Sequence, residues 1–280
     1  MKRVICYSGG HSSAIVAIEV ARKYPDDEIV LLNHDINPNV ELADVKRFKR
    51  EVAEYLNLPI TYANYKGIQN CEEIPDQFDV SIKIKGFKFG NGTELCTYNL
   101  KTEPFYQWLK ENCYISNTVI YYGFDANEMH RVQRRSSILA KDGWKTDFPI
   151  ALWKKEERTI TQTMQVGISR PAQYDTFKHA NCLGCLKAGK QHWYVVYCVR
   201  RDIWEKAKQT EETLDHSIIK GVYLDELEEQ FEEMYRAGVP ANEHINPNTF
   251  WAQVKKSNLD GFAFFDYEEE LNTKPCECVL

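Results

Sequence analysis

A short β-rich run at residues 3–7 (RVICY) leads straight into Ser8-Gly9-Gly10-His11-Ser12-Ser13 and then into an apolar stretch at 14–21 that reads as a buried helix. A strand that turns through two glycines into a buried helix opens a βαβ unit, and few other folds accommodate it. The alternation continues down the chain. Glu28–Asn33 (EIVLLN) is a second strand. Residues 40–56 form a helix with Val45, Phe48, Val52, Tyr55 and Leu56 on one face. Residues 59–63 and 118–122 (TVIYY) give a third and a fourth strand, and 127–140 the helix that follows. Strands separated by helices predict right-handed crossovers and a mostly parallel sheet.

A long insertion at 64–102, with Gly86, Gly90 and Gly92 around Phe87 and Phe89, separates the third and fourth strands. Strand signals fade after residue 150. Residues 154–166 read as a helix, 167–192 as a loop region, and 200–210 and 223–236 as helices. The last of these places Leu224, Leu227, Phe231 and Met234 on one face. The expected division is an α/β unit over 1–195 and a helical extension over 196–280.

Composition narrows the class. At 43% hydrophobic and 12% aromatic residues the chain is not a disordered one. No apolar run reaches the ~18 residues of a membrane span. The start, MKRVICYSGG, lacks the apolar stretch of a secretory leader, so a cytoplasmic protein is expected. A net charge of −6 does not suggest a nucleic-acid coat, although residues 130–158 are locally basic. Nine cysteines, an odd number, in a chain without an export signal point to metal or redox chemistry rather than to a disulfide framework.

The loop Ser8–Ser13 carries its own chemistry. Glycines let a backbone approach a phosphate closely, and serine hydroxyls and helix N-terminal amides donate to phosphate oxygens. The alternative is a plain strand-to-helix turn with an N-cap serine. The loop resembles the SGGxDS loop of the adenine-nucleotide α-hydrolases, the ATP pyrophosphatases, with Ser12 in place of the family's aspartate. Four further patches follow in order. Residues 96–105 (CTYNLKTEPF) resemble the cysteine–lysine–proline segment of the phosphoadenosine phosphosulfate (PAPS) reductase family. Gly123-Phe124-Asp125-Ala126-Asn127-Glu128, with Arg131 and Arg134, is similar to that family's segment after the fourth strand. Phe148-Pro149-Ile150 with Trp153 resembles its proline–tryptophan stretch, and Cys182-Leu183-Gly184-Cys185 stands where many members carry a CxxC.

The resemblance implies a three-layer α/β/α fold that binds an adenine nucleotide, ATP or PAPS, with Mg2+. Tyr7, Ser8, Gly9, Gly10, His11, Ser12, Ser13 and Gly123 would cradle it, and Asn33, His34 and Asp35 would lie by its ribose or adenine. Lys101, Asp125, Arg131 and Arg134 are the candidate catalytic residues, and Asp35 or Asp125 would ligate the magnesium ion. Cys96, Cys182 and Cys185 would hold a [4Fe–4S] cluster. Zinc is the rival, with His179 completing a Cys₃His set, and buried free thiols are the third reading. The implied reaction is ATP-dependent adenylation coupled to sulfur transfer. Its expected partners are a tRNA or DNA acceptor, a sulfur-donor protein and a second copy of the chain, without a membrane. The alternatives are a PAPS or adenylyl-sulfate reductase, for which only Cys276 or Cys278 is suitably placed, and a nucleotide-binding module that has lost catalysis.

Overall fold

The computed structural model of the chain describes residues 1–88, 92, 94–180 and 182–256. Five parallel strands form one sheet in the order β3-β2-β1-β4-β5: β1 Lys2–Cys6, β2 Glu28–Asn33, β3 Ile60–Tyr62, β4 Thr118–Tyr121 and β5 Lys145–Asp147. In register, Val4 lies between Val30 and Ile120, and Ile5 between Leu31 and Tyr121. β1 is apolar throughout its second half because both of its faces are covered.

Alternation along the strands divides the core into two layers. Ile5, Tyr7, Leu31 and Tyr121 face helices α1 (His11–Lys23) and α2 (Ala43–Leu56), and meet Ala14, Val16, Ile18, Phe48 and Val52. Val4, Cys6, Leu32, Ile120 and Tyr122 face the other way, towards Phe105, Leu109, Val132 and Leu139. The expected three-layer α/β/α fold is therefore the fold of the chain. Its helices α3 (Gln77–Ile84), α4 (Glu103–Asn112) and α5 (Met129–Lys141) fill the insertion and the second layer.

A third core lies beyond the sheet. Helices α6 (Lys190–Val199), α7 (Arg201–Leu214), α8 (Leu224–Arg236) and α9 (Pro247–Lys256) pack Trp193, Tyr197, Trp204, Leu227, Phe231 and Phe250 together with Phe78 of α3 and Leu183 and Leu186 of the CxxC region. A division at 195/196 falls inside α6, because this core draws on both sides of that position. Among the described residues no helix is long and apolar enough to cross a membrane.

Three local readings change. Helix α1 begins at His11, so Ser12 and Ser13 belong to its first turn. β5 is a three-residue edge strand of Lys, Thr and Asp, with no apolar alternation to announce it. Residues 154–166 form two short 3-10 turns, Lys155–Glu157 and Thr163–Val166, instead of a helix. Their β-branched Thr159, Ile160 and Thr161 resist helix. The amides of Thr159 and Ile160 donate to the buried Glu19 carboxylate, each at 2.7 Å.

Candidate functional site

The order of the sheet reverses between β1 and β4, and the segments leaving these strands run to opposite faces. In open parallel sheets this switch point, at the carboxyl ends of the strands, is where ligands bind. The loop after β1 and the loop after β4 meet there. A side chain at Gly123 would come within 2.8 Å of the Ser13 amide nitrogen and 2.9 Å of the Ser12 carbonyl carbon. Only glycine lets the β4 loop rest on the first turn of α1.

The phosphate-type loop is folded by its own residues. The Gly10 amide donates to Ser8 Oγ (3.4 Å), the Ser13 hydroxyl donates to the Gly10 carbonyl (2.8 Å), and the two serine oxygens lie 3.2 Å apart. The amides of the first helical turn have no intrahelical acceptor and carry the positive end of the helix dipole. Ser12 is exposed and Ser13 buried. The Thr163 amide donates to His11 Nε2 (3.2 Å), and burial and the nearby Arg170 charge hold the His11 imidazole neutral.

A buried charge network lies below the loop. A side chain at Gly9 would strike the Lys49 stem at 2.7 Å. Lys49 is 1% exposed, and its ammonium lies 3.0 Å from both oxygens of Glu41 (2% exposed) and 3.6 Å from Asp35. Lys46 completes the set, 2.6 Å from Asp35 and 3.2 Å from Glu41. Asp35 is thus engaged by two ammonium groups. Sequence reading passed over Lys49, although a lysine amid the apolar stripe of Val45, Phe48 and Val52 was the available signal. The Tyr7 hydroxyl donates to the Lys49 carbonyl (3.1 Å).

Among the described residues, two acceptors without partners lie at the carboxyl end of β2. Asn33 spends its amide on the Tyr7 carbonyl, leaving Oδ1 buried and unpaired. His34, 5% exposed, donates from Nδ1 to the Ala63 carbonyl, which leaves Nε2 as a buried acceptor. Burial holds the His34 pKa down to about 4, with the Lys101 charge acting in the same direction.

After β4, Asp125 caps the Ala126–Glu128 turn by accepting from the Asn127 amide (2.9 Å), and is exposed. Arg131 is buried in an ion pair with Glu128, its guanidinium 4.3 Å from the centre of the Phe124 ring. Arg134 is exposed. The basic stretch does not form one face. Arg131 is near the carboxyl edge of the sheet, whereas Lys145 begins β5 at the amino edge. Residues 157–159 pair with Lys23 and Arg22 at the far end of α1.

The cysteines come together from distant segments. Cys96 and Lys101 lie on one helical run, Leu95–Thr97, Tyr98–Thr102 and Glu103–Asn112, whose middle section is π-helical. Pro104 offers no N–H to the Leu100 carbonyl and crowds it, which accounts for the widened turn. Cys96, Cys182 and Cys185 lie within electrostatic reach of one another and of the Lys101 ammonium. Burial dominates over Lys101: it pushes the Cys96 thiol up to about 12 and Cys185 to about 11, and raises Cys182. The CxxC loop is held from four sides. The Leu183 amide donates to the Val40 carbonyl (2.9 Å), and Gln77 Nε2 donates to the Leu183 carbonyl (2.7 Å). Lys187 pairs with Glu94 (2.9 Å), and the Cys185 amide donates to His192 Nε2 (3.3 Å), whose Nδ1 bonds Glu243.

Three thiols suit a soft metal in chemistry. Yet among the described residues no group of three or more His, Cys, Asp and Glu side chains is gathered closely enough to hold an ion. His179 is exposed and lies in the field of Glu243, Arg131 and Glu128 instead of joining the thiols. Cys276 and Cys278 lie outside the described residues. No protein-family model, no curated protein and no solved structure matches this chain.

Proposed function

We propose that the chain binds an adenine nucleotide across the carboxyl edge of the sheet and uses ATP to activate an acceptor for sulfur transfer. One observation carries the binding reading: the self-folded loop Ser8–Ser13 opens α1 at the switch point, and the glycine of the β4 loop is packed against that same turn. Its donors suit phosphate. The two unpaired acceptors at Asn33 and His34 suit the hydroxyl and amine donors of a nucleoside. Binding one ligand at both places spans β1 and β2.

In the proposed reaction an acceptor carbonyl oxygen attacks the α-phosphorus. A new O–P bond forms, the bond to the bridging oxygen breaks, and pyrophosphate leaves. A sulfur nucleophile then displaces AMP from the activated carbon. The loop amides and Lys101 stabilise charge as it develops on the phosphates. The thiols of Cys96, Cys182 and Cys185, within electrostatic reach of Lys101, are the chain's own candidates for handling the sulfur.

A second reading, a nucleotide-binding module without catalysis, is favoured by the engagement of Asp35 with Lys46 and Lys49. Equilibrium binding of ATP together with pyrophosphate release, with and without a tRNA pool and sulfide, separates the two. Binding with release supports adenylation, binding without release supports the module, and absence of binding overturns both.

A further inference from the structure

A strap of chain, residues 163–180, runs over the phosphate-type loop, and one side chain of it reaches the first turn of α1. The His11 amide donates to the Tyr174 hydroxyl oxygen at 3.0 Å. With its oxygen already accepting, the phenol still has its proton to give. The described residues offer that proton no acceptor. Amides donating to a hydroxyl oxygen make its O–H a stronger donor. The ring packs closely on residue 10: a side chain there would meet the phenol oxygen at 3.3 Å.

The strap is tied down on both sides of Tyr174. Before it, the Ala172 amide donates to Asp44 (2.6 Å) and Arg47 donates to the Ser169 carbonyl (3.3 Å), both on α2. After it, the Glu243 amide donates to the Thr176 carbonyl (2.9 Å), and His244 Nε2 bonds the Tyr174 carbonyl (2.6 Å). Two features besides the helix end mark the place. The Thr163 hydroxyl, fully buried beside His11, has no partner among the described residues. Arg170 lies at the mouth of the loop, 5.8 Å from the centre of the Tyr174 ring, and its charge is felt by His11. Its carboxylate neighbour, Asp175, is 3.5 Å away, and both are more than half exposed.

We infer that Tyr174 and Arg170 are phosphate-recognising residues of this site: the Tyr174 hydroxyl donates to a phosphate oxygen at the loop, and Arg170 receives the outer phosphates of a di- or triphosphate. The inference rests on the nucleotide reading above and adds a selectivity to it, for ligands bearing a pyrophosphate group over a nucleoside monophosphate.

Calorimetric titration of the full chain with pyrophosphate, ATP and AMP tests it, with Tyr174→Phe and Arg170→Gln alongside the wild type. Wild type is expected to bind ATP and pyrophosphate more tightly than AMP. Tyr174→Phe should weaken ATP and pyrophosphate about tenfold, the worth of one hydrogen bond to a charged group. Arg170→Gln, at an exposed position that leaves folding intact, should weaken both by roughly threefold to tenfold and leave AMP within about twofold. Unchanged or tighter binding in both variants, with wild type still binding, overturns the inference: the phenol then only fills the seat, and the nucleotide reading stands. A folded wild type that binds none of the three ligands overturns the nucleotide reading and this inference with it.

Discussion

The loop Ser8–Ser13 and the loop Cys182–Lys187 lie at the same end of the molecule and are made in opposite ways. The first is shaped by six consecutive residues: its serines and glycines bond one another, and the helix that follows supplies its amides. The second takes its shape from elsewhere, from Val40, Gln77, Glu94 and His192, the first of them 143 positions from its partner Leu183. A locally closed loop keeps its geometry when distant contacts are lost. A loop closed from outside moves with whichever segment moves, and this is how sub-global openings couple remote positions.

The comparison breaks most severely at the floor of the first loop, a non-local support beneath it. Lys49→Ala leaves Glu41 buried with one ammonium partner fewer and removes the stem beneath Gly9. Breaking a buried pair in this way costs about 3–5 kcal/mol, to be read from the urea midpoint. A loss under ~1 kcal/mol would mean that the loop stands without its floor.

Acid tests the junction between the two loops, where His34 senses Lys101. The folded-state pKa of His34, about 4, lies below the ordinary 6.5. As pH falls the unfolded chain therefore takes up its proton first. The neutral imidazole contributes stability that is complete above pH 6.5 and is lost as pH drops from there through 4, up to about 3 kcal/mol. His34→Asn should flatten that part of the stability curve. An unchanged slope between pH 6.5 and 4 would show that His34 is not held neutral.

A glycine also closes the packing at each loop. Gly184 has a φ of +70°, and a side chain on it would meet Ile203 at 2.6 Å; Gly123 meets the backbone of Ser12 and Ser13. Alanine at either site should cost about 1–3 kcal/mol by overpacking. Alanine at Gly86, which would make only an ordinary 3.6 Å contact, should lower the melting temperature far less. Equal losses at all three would remove the claim of close packing. The smallest effect sharpens the contrast directly. Glu243→Ala frees His192 and costs roughly 1–2 kcal/mol. It should speed maleimide labelling of Cys182 and Cys185 while leaving the core residue Cys6 unlabelled. Labelling rates that do not change would show that the clasp does not shape the cysteine loop.

What could be read in advance follows the same division. The strand–loop–helix opening, the parallel sheet and the loop at its edge rest on neighbours in sequence, where periodicity and turn chemistry speak. The edge strand Lys145–Asp147 and the turns at 155–166 escaped because edge pairing and a distant carboxylate, Glu19, decided them.

By itself, then, the sequence determined a parallel α/β sheet and a glycine–serine loop that closes on itself, because period-two and period-3.6 burial and local hydrogen bonds need no partner farther along the chain. Only the tertiary structure decided that Asp35 is bound by two lysines, that Tyr174 rests on the first turn of α1, and that three thiols from two separate segments lie within electrostatic reach of Lys101. Ion pairs, long-range hydrogen bonds and burial act through space, and their partners are fixed by where the packed helices bring the chain.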